Sequence, residues 1–232
     1  MVIPPAKLRL ADCSVFVDFD GTISTDDIGI RLLERFAAGR WEDVDARYER
    51  GDIGSRRYVG ELWTVLDGVD LDELRSAAAS VPLDTGLASL LAFLRAGGAE
   101  VAVVSDGLGF YVATRCRPFG VPVTANDVAV TADGPGRAGG AGRYQPVFGL
   151  PAPDCPCGAC GTCKAEPIRR AQARGRTAVM VGDGTSDRFG AAAADVVFAR
   201  DRLADWCRES STAFVPFGGL ADVEAALRAM VG

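Results

Sequence analysis

The chain has 232 residues, 48% of them hydrophobic, with 25 basic and 31 acidic side chains and a net charge of −6. That length holds one sizeable α/β core, or a core plus a small insertion, and the acidic balance speaks against a nucleic-acid binder, whose footprint is a basic face. There is no histidine, which excludes every imidazole base and every His-ligated metal site and leaves proton transfer to carboxylates, Lys, Tyr or Cys.

The first strand is predicted over residues 13–17, a continuous apolar run that ends in Asp18. Continuous rather than alternating hydrophobicity predicts burial on both faces, as in a parallel sheet. A helical pattern fills residues 26–80. Its apolar faces are Ile28, Leu32, Leu33 and Phe36, then Val59, Leu62, Trp63 and Leu66, then Leu71, Leu74 and Ala78. Breaks fall at Gly51-Asp52, Asp67-Gly68 and Val81-Pro82. So many helices exceed what one crossover requires, and the block reads as a small helical domain inserted after the first strand. The α/β pattern then resumes with a helix from Leu87 to Gly97-Gly98 and a strand over 101–104 that runs into Ser105-Asp106-Gly107. A helix over 108–118 and short extended segments over 121–132 follow. Residues 133–163, rich in Gly, Pro and Cys, read as loop. A helix is predicted over 164–174, and a strand over 178–181 that ends in Gly182-Asp183-Gly184. A helix through 191–194, a strand over 196–198, a helix from Leu203, a strand at 213–215 and a helix over 221–230 complete the chain. No internal repeat is visible.

Three apolar strands thus end in polar residues: Asp18-x-Asp20, Ser105-Asp106-Gly107 and Gly182-Asp183-Gly184. A single such strand end reads as a helix cap. Three together predict one rim at the carboxyl ends of a parallel sheet, where ligands sit. Carboxylates in that number suit phosphoryl transfer if a hard cation stands among them, and Mg²⁺ held by one or two carboxylates and a substrate phosphate meets the need. Asp18, Asp20, Asp183 and Asp187 bring the carboxylates, Ser105 a hydroxyl, and Gly21, Gly107 and Gly184 close backbone approach. Only two lysines occur, Lys7 near the N-terminus and Lys164 at a helix start. Lys164 is the one suited to a phosphate oxygen beside a carboxylate.

Taken in order, Asp18-Phe19-Asp20-Gly21-Thr22, Ser105-Asp106-Gly107, Lys164 and Gly182-Asp183-Gly184-Thr185-Ser186-Asp187 resemble the four motifs of the haloacid-dehalogenase superfamily. The helical block resembles the small cap of its phosphoserine-phosphatase subgroup. Ser105-Asp106-Gly107-Leu108, Cys163-Lys164 and Ala194-Asp195-Val196-Val197-Phe198-Ala199-Arg200 are similar to phosphatases of the methionine-salvage type. The resemblance implies a Rossmann-like core with a parallel sheet, spanning 1–24 and 82–232, and a C1-type cap over 25–81. It implies Asp18 as nucleophile, and Asp20 as the acid for the leaving oxygen and then the base for water. Ser105, Lys164, Gly107, Gly21 and Thr22 would hold the phosphoryl group, with Thr22 also a donor to Asp20. Asp18, Asp20 (through its carbonyl) and Asp183 would bind Mg²⁺, with Asp187 orienting Lys164 or a metal-bound water, or else capping the next helix.

Substrate choice is expected in the cap, with Asp26, Asp27, Glu49, Arg56 and Arg57 as specificity residues and Trp63 as core. Arg56 or Arg57 could receive a second anionic group. Within a cysteine-rich loop at 151–164, Cys155, Cys157, Cys160 and Cys163 have spacings that suit a tetrahedral Zn²⁺ staple beside Lys164, or a redox-labile pair. Cys13, Cys116 and Cys207 read as small buried apolar residues. No stretch reaches about 18 uninterrupted apolar residues and the N-terminal ten lack a leader's apolar run, so a cytoplasmic protein without a membrane partner is expected. The sum is a Mg²⁺-dependent phosphomonoesterase on a small phosphorylated metabolite. The alternatives are a phosphoserine-phosphatase-like enzyme on amino-acid or amino-alcohol phosphates, and a non-catalytic phospho-ligand or redox-responsive interaction protein. Having both Asp18 and Asp20 speaks against the last, since a binder needs no such pair.

Overall fold

The computed structural model describes residues 7–132, 142–150 and 159–231. Its strands are β1 (Cys13–Val17), β2 (Glu100–Leu108), β3 (Val123–Ala132), β4 (Gly142–Val147), β5 (Thr177–Gly182), β6 (Val196–Ala199) and β7 (Val215–Pro216). They form one sheet in the order β4-β3-β2-β1-β5-β6-β7. Between β1 and β2 lie α1 (Ile28–Phe36), α2 (Glu42–Glu49), α3 (Ser55–Thr64), α4 (Leu71–Ser80) and α5 (Leu87–Ala96). After β2 come α6 (Gly109–Cys116), α7 (Ala165–Ala173), α8 (Arg188–Ala193), α9 (Asp201–Glu209) and α10 (Leu220–Met230). This is the expected Rossmann-like α/β core with an added helical block. Among the described residues no helix is long and apolar enough to cross a membrane.

β1 is central and wholly buried, paired in parallel with β2 on one side and β5 on the other. Its run of five apolar or small side chains therefore meets protein on both faces. The sheet is mixed rather than purely parallel, because β4 runs antiparallel to β3. β4 lies in the stretch expected to be loop. Its strand pattern rests on one side chain, buried Tyr144 between exposed Arg143 and Gln145, too short a signal to stand out among glycines. β2 also runs past its expected end, through Ser105-Asp106-Gly107, and its pairing with β3 shifts between Ser105 and Leu108. Such irregularities re-aim side chains beside functional sites.

In the helical block, Asp27 caps α1 by accepting from Ile30 N–H (2.8 Å), and Asp70 caps α4 by accepting from Asp72 and Glu73 N–H (2.8 and 3.2 Å). Ile28, Leu32 and Leu33 of α1, Val59, Leu62 and Trp63 of α3, and Leu74 of α4 join the same buried cluster as Val15, Val17 and Val181 of the sheet. α2 buries no side chain fully. It is held to α3 by the stacked rings of Tyr48 and Tyr58 (4.2 Å) and by Arg47 with Glu61 (2.8 Å). The block is tied laterally as well. The Tyr144 hydroxyl donates to the Val69 carbonyl (2.6 Å), its N–H to Asp67 (2.7 Å), and Arg56 N–H to the Ala159 carbonyl (2.8 Å).

Candidate active site

Register sets the rim. Val17 pairs with Val103 of β2 and with Val181 of β5. The residues that follow, Asp18, Ser105 and Asp183, therefore gather at one carboxyl edge of three adjacent parallel strands. Asp18 N–H closes the last ladder bond, to the Val181 carbonyl (2.9 Å).

Lys164 stands at the start of α7 with its side chain almost wholly buried. Nζ donates to Asp18 Oδ1 and Asp187 Oδ1, both at 2.6 Å, and to Ser186 Oγ at 2.9 Å. Burial works against the ammonium, but the charges of Asp18 and Asp187 override it and hold Lys164 protonated. Asp187 accepts through its other oxygen from the N–H groups of Asp183 and Gly184, each at 3.0 Å. Of the roles expected for it, contact with Lys164 is seen; its second oxygen ties the preceding loop rather than the following helix.

Asp20 is held by two donors. Ile28 N–H reaches Oδ1 and the Tyr111 hydroxyl reaches Oδ2, both at 3.0 Å. Burial first, and then the charge of Asp27, push its carboxyl well above the usual range, which suits a group that must carry a proton. Thr22 does not donate to Asp20 as expected; its hydroxyl reaches Asp183 Oδ1 at 2.8 Å. Gly21 precedes Thr22 in a left-handed conformation. At φ 71° it turns the chain back against Asp183, so closely that a Cβ there would strike that carboxylate. The Gly21 N–H donates to the Asp26 carbonyl (3.2 Å) and Gly107 N–H to Ser105 Oγ (2.9 Å), so both amides expected on phosphate have internal acceptors.

Carboxylate oxygens of Asp18, Asp183 and Asp187 lie within 4.8 Å of one another. Burial, and then the charge of Asp187, push Asp18 up and raise Asp183 to about 7. A cluster so crowded with negative charge, with one ammonium against it, fits a hard divalent cation. Both oxygens of Asp187 and one of Asp183 already have donors, so Asp18 and Asp183 are the residues suited to hold Mg²⁺. The Asp20 side chain stands apart from this group, turned to Ile28 and Tyr111.

A cavity of about 340 Å³ opens between the rim and the helical block. Asp18, Asp20, Ser105, Gly107 and Asp183 line it, as do Asp27, Glu49 and Trp63. Asp26, Arg56 and Arg57 do not. Asp26 pairs with Arg31, Arg57 with Glu61 (2.5 Å), and the Arg56 guanidinium lies 4.7 Å over the Phe148 ring. All three have these partners and stand outside the cavity lining in this structure. Residues that sequence reasoning missed include Tyr111 and, on the opposite wall, Trp41, Asp45, Tyr48 and Tyr58. Asp45, Tyr48 and Glu49 share one face of α2 at i, i+3 and i+4, a pattern that could have marked the wall. Cys163 is buried and Cys160 half-buried; Cys155 and Cys157 lie outside the described residues. Cys13, Cys116 and Cys207 are buried, as expected.

A carboxylate at the end of a central parallel strand, backed by a buried lysine and a second acidic strand end, is equipment for hydrolysis by phosphoryl transfer without imidazole. The family model of haloacid dehalogenase-like hydrolase matches residues 15–191, and the chain belongs to that family. At the family level it is a magnesium-dependent phosphatase that acts through an aspartate nucleophile. It is similar to 2-hydroxy-3-keto-5-methylthiopentenyl-1-phosphate phosphatase of Brevibacillus brevis, at 28% identity over 211 residues, covering 90% of this chain and 92% of that one. A protein of the same name from an Exiguobacterium species is 28% identical over 216 residues, covering 92% and 96%. Among solved structures, a phosphoserine phosphatase with an analogue of its phospho-aspartyl intermediate superposes with a TM-score of 0.71 at 16% identity, covering 91% of this chain and 96% of that one. At that identity it shows the shared fold.

Proposed function

We propose that the chain hydrolyses a small phosphomonoester through an aspartyl-phosphate on Asp18. The observation that carries this is the pair at the rim. Asp18 is fixed by Lys164 through one oxygen only, while Asp20, two residues on, is oriented by Ile28 and Tyr111 and pushed well above the usual carboxylate range by burial and Asp27. In the first step the second oxygen of Asp18 attacks phosphorus, the ester P–O bond breaks, and Asp20 gives its proton to the leaving alkoxide. In the second, Asp20 takes a proton from water, the water oxygen attacks the phosphorus of the aspartyl-phosphate, and Asp18 leaves as carboxylate. Ser105 offers its hydroxyl proton to a phosphoryl oxygen, since its own oxygen already accepts from Gly107. Lys164 favours the ionised form of Asp18 against the push of burial and adds positive charge to the rim. Asp18 and Asp183 would hold Mg²⁺, which would supply charge neutralisation for an incoming phosphate.

Residues 25–81 serve in this reading as the cap that shields the site from water. The substrate of the named relatives and serine phosphate both belong in the test. Purified protein with Mg²⁺ is expected to release phosphate from members of a phosphomonoester panel, and Asp18→Asn to abolish release. No release from any ester, or full activity in Asp18→Asn, refutes the proposal. The zinc staple is tested apart from it, by elemental analysis of reduced protein; absence of stoichiometric zinc removes it.

A further inference from the structure

Where β2 meets β3, Ser105 pairs with Ala125 and Leu108 with Asn126, so Asp106 and Gly107 have no partner residue on β3. Residues pushed out of a ladder leave peptide groups that must be satisfied in another way. The side chain of Asn126, fully buried, does this. Its Nδ2 donates to the Asp106 carbonyl (2.8 Å) and to Asp106 Oδ1 (3.2 Å). Its Oδ1 accepts from the Gly149 N–H (3.3 Å) and from the Thr162 hydroxyl (2.9 Å). Both donor and both acceptor positions of the amide are in use. A carbonyl can only accept and a backbone N–H can only donate, so the Asp106 and Gly149 contacts fix which way the amide faces. Thr162 is anchored in turn, its N–H donating to Asp106 Oδ1 (2.8 Å).

The Asp106 carbonyl and the Gly107 N–H belong to one planar trans peptide, in which they point in opposite directions. On the far side from Asn126 that N–H donates to Ser105 Oγ (2.9 Å). One rigid unit therefore links the buried amide to the hydroxyl. With one lone pair of Oγ engaged by Gly107, the Ser105 proton turns toward the cavity that Ser105 lines. We propose that Asn126 is a positioning residue for phosphoryl transfer, which aims the Ser105 hydroxyl at a phosphoryl oxygen through the Asp106–Gly107 peptide. This rests on the phosphatase reading, in which Ser105 gives that hydrogen bond. Asn126 itself touches no reacting group. An asparagine buried for packing alone would lower stability when replaced and leave the affinity of the folded site for phosphate unchanged. One that acts through Ser105 changes that affinity, and only while the Ser105 hydroxyl is present.

A double-mutant cycle tests this, read as the inhibition constant of inorganic phosphate against hydrolysis of p-nitrophenyl phosphate. That constant is independent of how much of each variant folds. Asn126→Ala is expected to raise it about fivefold or more in the unaltered protein, and less than about twofold in a Ser105→Ala background. Thr162→Val removes one hydroxyl and keeps the shape of the side chain. It is expected to raise the constant about threefold, again only while Ser105 is present, and it carries the test should Asn126→Ala not fold. Equal factors with and without the Ser105 hydroxyl, or an unchanged constant in both Asn126→Ala and Thr162→Val, assign Asn126 to packing. Either result overturns the inference while leaving the phosphatase reading intact. Unaltered protein that releases phosphate from no ester overturns both.

Discussion

Replacing Tyr111 by Phe removes one hydroxyl and leaves the ring, whose centroid lies 5.1 Å from that of Phe110 and 6.0 Å from that of Phe19. Packing is therefore kept, and what is lost is the 3.0 Å bond to Asp20 Oδ2. That bond opposes the upward push of burial on the Asp20 carboxyl, so its loss drives the carboxyl higher and frees it to turn about the remaining Ile28 contact. A hydrogen bond to an ionisable partner is worth about 1.5–3 kcal/mol, or roughly ten- to hundredfold in rate. The loss should depend on the leaving group. An alkoxide needs the Asp20 proton, whereas p-nitrophenolate departs without one. With enzyme in excess over substrate, which reads phosphoryl transfer alone, Tyr111→Phe is expected to slow an alkyl phosphate about ten- to hundredfold and p-nitrophenyl phosphate by less than about threefold. Equal losses on the two esters, or no loss on the alkyl ester, refute Tyr111 as the residue that positions the acid.

Lys164→Met strips the ammonium from two buried carboxylates and is expected to cost about 3–5 kcal/mol in urea unfolding, part of it recovered by adding Asp187→Asn; a cost under about 1 kcal/mol contradicts the ion cluster. Gly21→Ala forces a side chain onto a φ of 71° and against Asp183. The Mg²⁺ concentration for half-maximal activity is expected to rise about tenfold, and an unchanged value counts against Asp183 as a ligand. Burial pushes the Cys116 thiol up to about 12 and the Cys207 thiol up to about 11. At pH 8 about one Cys116 in ten thousand is then thiolate, so iodoacetamide should leave both residues unlabelled until denaturant is added. Stoichiometric labelling of native protein at either residue would show the burial to be wrong.

Much of the catalytic rim was legible because parallel strands write their function at their ends. Asp18, Ser105 and Asp183 each follow an uninterrupted apolar run, and adjacent parallel strands align such ends without further information. Lys164 stood out by rarity. Tyr111 was hidden for the opposite reason. It lies on the buried face of α6 beside Phe110 and Val112, and an aromatic on an apolar stripe looks like core whether or not its hydroxyl has a task. Thr22 meets Asp183 rather than Asp20, and sequence carries no direction for a hydroxyl. Arg56 and Arg57 stand outside the cavity lining, turned to Phe148 and to Glu61 one helical turn on, and only the second of these contacts is visible in the sequence spacing.

Asp187 touches neither of the groups expected to react, yet it joins Lys164 to the loop that carries Asp183, two parts of the site distant in the chain. One oxygen holds the lysine and the other the two amides of the loop that carries Asp183. Effects of substitution at 164, 183 and 187 are therefore not independent, and a double-mutant cycle among them should show strong coupling. In an alanine scan this residue would score as if it were catalytic. In a lineage, changes at these three positions would be accepted together or not at all.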